Sequence, residues 1–319
     1  MSEPDNFADL RSKFETFYYQ KLWPKLFDME ESRRIYLHRF WMLFCFLGIG
    51  LPSFIIFMWG EWIYSIFTTG SSKEIESILK LGLLVVAVIV AIIGSPIIAY
   101  KMDVKDSIIK DFINFFGNFK HYLFKEIDDD TIKKSLLVKD YNRHSCDDYF
   151  CGTYKNTSMV IAEEHLAVKR RKGETSIFDG IMIMLDFPKS FKGQTVVMKD
   201  WKWFNFIHQT DKSFERIALE DVDFENEFEV YGNDQIEARY LLTAAFMERM
   251  LKVRETFRGK KIQFSFFDNK LFIAIETSKD MFEPASLFKC STNRGPINDV
   301  FEQFISVFAI VEFLKLTQQ

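Results

Sequence analysis

The sequence predicts an α+β protein: an N-terminal two-helix transmembrane hairpin followed by a cytoplasmic antiparallel-sheet domain with packed helices. Three observations carry this. Two uncharged stretches, Phe40–Trp59 and Leu81–Tyr100, each reach bilayer length, because a helix rises about 1.5 Å per residue and a hydrocarbon core is about 30 Å thick. Beyond Asp148, short runs rich in β-branched and aromatic residues are punctuated by Gly and Asn, the texture of strands and turns. Two amphipathic helical patterns, over 236–251 and 300–314, supply apolar faces that can cover a sheet. The expected division is an amphipathic segment over 1–39, the hairpin over 40–100, a helical connector over 101–146 and the α+β domain over 147–319.

Composition narrows the function classes. The net charge of -4 over 319 residues is close to balanced and gives no electrostatic footprint for nucleic acid. The 36 phenylalanines are spread along the chain and read as core filling. Cys146 and Cys151 form a C-x4-C pair flanked by His144 and Asp147, but no second close pair exists to complete a zinc site. Reduced structural cysteines are the expectation, with no metal and no cofactor. A long charged and aromatic segment precedes the first apolar stretch, so a removed signal peptide is not expected.

Basic residues flank the two stretches asymmetrically. Lys21, Lys25, Arg33, Arg34 and Arg39 precede the first, and Lys101, Lys105, Lys110 and Lys120 follow the second. The connector Gly60–Lys80 holds only Lys73 and Lys80, beside Glu61, Glu74 and Glu76. Basic flanks are retained inside, so both termini, Asn205 and the main domain are expected in the cytoplasm, with the 60–80 loop outside. Trp41, Trp59, Trp62, Tyr64 and Tyr100 suit the interfaces, and Pro52 and Pro96 predict kinks.

Ahead of the first stretch, Phe7, Leu10, Phe14, Phe17 and Leu22 predict an amphipathic helix, lying either on the membrane or against the domain. Ile108, Phe112, Phe115, Phe119 and Tyr122 predict a heptad-like seam on a helix continuing the second stretch. Core packing is its simplest use and a homo-oligomer contact the alternative. Asp130 is the expected start of a short helix after the Asp128–Asp129–Asp130 run. Strands are expected at 149–154, 158–169, 175–187 and 195–199 as a meander, with two short ones at 216–221 and 227–231. Asp234 and Glu237 form a capping box for a helix presenting Ile236, Tyr240, Leu241, Ala244, Met247 and Leu251, stopped near Arg258 and Gly259. A two-residue turn at Asp268–Asn269 pairs Phe266 with Leu271, Phe264 with Ile273 and Ile262 with Ile275 on one face, leaving Gln263 towards water. Val300, Phe304, Val307, Phe308, Val311 and Leu314 line a closing helix.

The segments Phe178–Val197, Leu219–Leu251 and Phe264–Phe288 resemble a bacterial family known only as domain of unknown function 3137. The resemblance implies a bacterial cell membrane, the inner one in a Gram-negative cell, and no catalytic residues to transfer. It also implies a membrane-protein partner, with small LemA-type membrane proteins as candidates.

No residue pattern names a reaction. His38, His121, His144, His165 and His208 form no H-E-x-x-H motif, and no phosphate- or dinucleotide-binding glycine pattern occurs. In Glu163–Glu164–His165 only the first and third side chains share a strand face. The acidic run Glu220, Asp221, Asp223 and Glu225 reads as a solvated strand edge rather than a cation site. One polar feature stands out: Lys169, Arg170, Arg171 and Lys172 in a strand-to-strand turn, able to contact anionic lipid. A solvated turn guarding an edge strand is the simpler reading. The leading function is a non-catalytic, membrane-tethered interaction or assembly module. A lipid-headgroup or small-ligand-binding domain comes second and a hydrolytic enzyme third.

Overall fold

A computed structural model describes residues 5–171, 173–199, 212–257, 260–277 and 280–316. Lys172, Asn205, His208, Arg258 and Gly259 lie outside the described residues. The chain divides into two compact units, each discontinuous in sequence. A sheet unit takes Met1–Arg11, Ile109–Phe282 and Asn298–Gln319, and a helical unit takes Ser12–Ile108 and Glu283–Ile297.

Helix α1 (Asp5–Phe17) starts in the sheet unit, and from Ser12 the helical unit runs on through α2 (Trp23–Leu43) and α3 (Leu51–Thr69), with π-helical turns at Tyr18–Leu22 and Phe44–Gly50. These two π-turns lie just ahead of a proline, unlike a third at Lys105–Ile109. At Trp23 and Leu51 the N–H reaches back five residues, to the Tyr18 and Phe46 carbonyls. Pro24 and Pro52 lack an N–H and crowd the carbonyl four residues back, which a widened turn relieves. Along α4 (Ser72–Val104), Pro96 sits inside an unbroken helix. The Ser95 hydroxyl donates to the Ile92 carbonyl at 2.8 Å, the acceptor that Pro96 has no N–H to serve.

The expected 60–80 loop is helical apart from Gly70–Ser71. Its charges lie on helix-compatible spacing, as the Lys80–Glu76 pair at 2.6 Å shows. Gly70 makes the tight reversal possible, since a Cβ there would lie 2.4 Å from the Ile66 carbonyl oxygen. The helical stretches Asp9–Trp62 and Ile75–Phe116 are long and apolar enough to cross a membrane. Their apolar side chains are bare, with Phe57 85% and Leu83 73% exposed. Phe7, Phe14 and Leu22 are instead buried inside the protein. Segment 283–297 fastens to this unit. Ser291 N–H donates to Glu30 at 2.9 Å, Arg33 donates to the Leu287 carbonyl at 2.9 Å, and Lys105 meets Glu283 at 2.7 Å.

Among the described residues of the sheet unit, nine antiparallel strands form one sheet in the order β1-β2-β3-β4-β9-β8-β5-β7-β6. They are β1 (Asn118–Tyr122), β2 (Arg143–Tyr154), β3 (Thr157–Arg170), β4 (Gly173–Asp186), β5 (Thr195–Met198), β6 (Glu215–Arg216), β7 (Glu229–Gly232), β8 (Ile262–Phe267) and β9 (Lys270–Glu276). The expected meander holds through β4. The strand at 195–198 then pairs with β8 and β7, because β9 occupies the edge of β4. The predicted seam is split: helix α5 (Lys110–Phe116) ends at Gly117, and Phe119 and Tyr122 lie on β1. Gly152 lets β1 close on β2, since a Cβ there would sit 2.1 Å from the Asn118 carbonyl oxygen.

Both sheet faces are covered. Phe150, Ile161, Ile183, Ile273 and Phe264 share one face by register. The closing helix α10 (Arg294–Leu314) sets Phe304 edge-on to Phe150 there, at 5.4 Å. The opposite face carries Tyr149, Ala162, Met182 and Ala274, packed with Ile132 and Leu136 of the α6 region. Helix α6 (Asp129–Ser135) is capped by Asp128, which accepts from the Asp130 and Thr131 N–H groups, two residues earlier than expected. The β8–β9 register is as the alternation predicts, with positive φ at Asp268 and Asn269. Gln263 and Ser265, however, are buried, because the second face of this central hairpin is also covered.

The acidic run forms no strand edge. Asp221 caps α7 (Val222–Glu227), and Glu225 accepts from the Leu219 N–H. The long helix expected after Asp234 is two: α8 (Gln235–Leu241) and α9 (Ala244–Thr256), broken at Leu242 and Thr243. Asp234 caps α8 as expected, but Glu237 turns away to the Lys192 and Gly193 N–H groups. The break re-aims the second helix, so Leu241 and Met247 are buried while Ile236 and Tyr240 are 81% and 53% exposed.

Candidate functional site

Strands β3 and β4 meet at the basic turn. Asn142 grips the turn's backbone on both sides: its Oδ1 accepts from the Lys169 N–H at 2.8 Å and its amide donates to the Lys169 carbonyl at 3.1 Å. Gly173, at φ 149, closes the turn in a conformation that favours glycine. Lys169, Arg170 and Arg171 are exposed, and their side chains make no ion pair among the described residues. The backbone is therefore fixed while the charges stand in solvent.

Below the turn is an open concavity of about 530 Å³. Its floor follows from register. Arg143, Ala167 and Ser176 lie in one row across β2, β3 and β4, and Ser145, His165 and Asp179 lie in the next. A bulge at Ile177 sets Ser176 opposite Ala167, whose short side chain leaves the dip. His165 Nδ1 is 2.8 Å from Asp179 Oδ1 and its Nε2 is 3.9 Å from Asp147. Glu163 shares the His165 face, as the strand period requires, but is buried and accepts from the Met281 N–H at 2.6 Å. The two are not brought to one ligand.

Glu164, itself buried, points through the sheet into a network that the sequence did not reveal and that reaches solvent at Asp129. His144 Nε2 is 2.8 Å from Glu164 Oε2, and His144 Nδ1 is 2.7 Å from Asp129 Oδ1. Tyr141 donates to the same Asp129 oxygen at 2.6 Å, and the Ile127 N–H donates to Glu164 at 2.9 Å. Burial pulls the His144 pKa down, but the carboxylates of Glu164 and Asp129 outweigh it and push it up to about 8. The hydrogen bond from Tyr141 holds the Asp129 carboxyl below its usual range. With both ring nitrogens engaged by carboxylates, protonated His144 fastens the start of α6 to β3 and offers no lone pair to a metal.

The remaining sequence candidates are structural. His121 is 2.7 Å from buried Asp148 and stacks on Phe150 with centroids 4.8 Å apart. Cys146 and Cys151 are free thiols on the bulged β2. Burial pushes the Cys146 thiol well up, away from nucleophilic use. The His144–Glu164 pair escaped detection because diagonal neighbours across two strands become visible only once the register and its bulge are known.

Fold and geometry define a class: an antiparallel α+β domain carried on a chain with two helices able to cross a membrane. Residues 176–316, from within β4 to beyond α10, match the family model described as "Protein of unknown function (DUF3137)". Among solved structures, the mycobacterial trehalose monomycolate transport factor A, TtfA, is similar over 63% of this chain and 91% of its own. It has 9% identity and a TM-score of 0.31. No curated protein matches the chain.

Proposed function

We propose that this is an integral membrane protein whose sheet unit faces the cytoplasm and docks a protein partner at the same membrane. The observation that carries the reading is the bareness of the two apolar helices, whose Phe57, Leu83 and neighbouring side chains stand exposed over a length that a hydrocarbon core would cover. The basic flanks support the orientation. Within the DUF3137 region, Ile236 and Tyr240 stand one helical turn apart on α8 and offer an exposed apolar contact. LemA-type membrane proteins are the partner class that the family likeness brings forward.

The test has two arms. In cells expressing a variant without native cysteines, an impermeant thiol reagent should label Ser72→Cys and spare Glu255→Cys; labelling of the second refutes the orientation. Affinity purification from native membranes should recover a partner with the wild-type chain and lose it with Ile236→Ser/Tyr240→Ser at unchanged melting temperature. Equal recovery removes α8 as the docking element.

A second reading is favoured by the β3–β4 turn, where Lys169, Arg170 and Arg171 are exposed and make no ion pair among the described residues. Near an anionic leaflet, Lys169, Arg170, Arg171 and Lys172 each contribute about 1 kcal/mol of attraction, screened within about 8 Å at physiological salt. In nanodiscs containing anionic lipid, an environment-sensitive fluorophore on Glu174→Cys should report an apolar environment that is lost at high salt and on replacing the four cations by Ser. A signal indifferent to both leaves a solvated turn.

A further inference from the structure

Within the helical unit, α2 and α4 border an open cleft of about 350 Å³, lined by Tyr36, Arg39, Met42, Leu43, Pro96 and Ala99. Its chemistry changes along the helix axes. Arg39 immediately precedes the first apolar stretch, and Met42 and Leu43 lie inside it. Pro96 and Ala99 lie at the end of the second stretch, with Asp103 one turn beyond. The cleft therefore passes from charged to apolar over about 10 Å, the rise of two helical turns.

Each end is prepared for a different group. The Arg39 guanidinium carbon lies 5.8 Å from the Tyr36 ring centroid, and Arg39 makes no ion pair among the described residues. Tyr36 donates to Asp103 Oδ2 at 2.6 Å, so the aromatic ring joins a free cation to a carboxylate. At the apolar end Pro96 offers no N–H, and the Ser95 hydroxyl is turned back to the Ile92 carbonyl. That wall presents no unmet donor to a hydrocarbon chain.

We propose that this cleft seats one glycerophospholipid, its phosphate on Arg39 and an acyl chain along Met42, Leu43, Pro96 and Ala99. Asp103, hydrogen-bonded to the lining residue Tyr36, repels a net-negative headgroup and attracts an ammonium, so an ethanolamine headgroup is preferred over glycerol. The inference rests on the membrane-spanning reading above.

The full-length chain in mild detergent is incubated with phosphatidylethanolamine, phosphatidylglycerol or inorganic phosphate and examined by native mass spectrometry. One phosphatidylethanolamine per chain should be retained. Arg39→Gln should weaken retention at least tenfold, Ala99→Phe should block it, and Asp103→Asn should narrow the preference over phosphatidylglycerol. Undiminished retention by Arg39→Gln, or full displacement by millimolar inorganic phosphate, overturns the proposal. Alkaline carbonate extraction separates the two readings. A chain released from membranes refutes the spanning model and this inference together. A chain that stays embedded yet holds no lipid refutes the inference alone.

Discussion

His144 shows how a polar residue is made structural by its surroundings. Its pKa of about 8 stands above the ordinary 6.5, so the protonated form is bound more tightly in the folded chain. The stabilisation is complete below about pH 6.5 and is lost as pH rises through 8; it amounts to about 2 kcal/mol. The melting temperature should therefore fall between pH 6 and pH 9, and His144→Gln should flatten that slope; an unchanged slope would show that another group sets it. The β8 strand yields a second expectation at this scale. Phe264→Asp places a charge in the core and should cost several kcal/mol. Gln263→Asp should be costly as well, since Gln263 is buried on the other face. Alternation separates the two faces of a strand, but it does not say whether both are covered. That is why the hairpin's register was legible and the burial of Gln263 was not.

At the scale of elements, local chemistry was readable and non-local pairing was not. The Asp268–Asn269 turn, the Asp234 cap and the closing helix each depend on residues a few positions apart. The break at Leu242 and the placement of β5 beside β8 depend on neighbours far along the chain or on packing, whereas the helical 60–80 segment had a local signal in its i,i+4 charge spacing. The turn can be tested by glycine, which accepts positive φ without strain. Asp268→Gly should be nearly neutral, because its pair with Lys134 is exposed on both sides. Asn269→Gly should cost about 1 kcal/mol, because Asn269 Oδ1 accepts from the Phe191 N–H at 2.9 Å. The Ser95–Pro96 pair allows a cleaner experiment. Ser95→Ala strands the Ile92 carbonyl and should cost about 1 kcal/mol. In a Pro96→Ala background the restored N–H serves that carbonyl, so the cost of Ser95→Ala should vanish. A double-mutant cycle in detergent measures the difference, and additive effects would refute the compensation.

At the scale of the molecule, neither unit is a continuous stretch of sequence. The sheet unit is completed by the first eleven residues, where Phe7 is buried and Arg11 pairs with Glu302. Phe7→Ala should cost about 3–5 kcal/mol by leaving a cavity, whereas Arg11→Ala should cost under about 1 kcal/mol for an exposed pair. Thermal unfolding of the full chain compares them, and equal losses would contradict the burial of Phe7. The helical unit depends in the same way on Glu283–Ile297, whose Ser291 hydroxyl bonds Tyr100 at 2.9 Å across a sequence separation of 191 residues. Synthesis proceeds from the N-terminus at about 5–20 residues per second, so Ser291 is made roughly 10–40 s after Tyr100. During that interval the nascent helices lack the segment that engages Glu30, Arg33 and Tyr100. On the membrane-spanning reading proposed above, the two apolar helices must therefore be held by the insertion machinery or by lipid until Glu283–Ile297 has been translated, and a ribosome stalled before residue 283 would leave them without the segment that completes their unit.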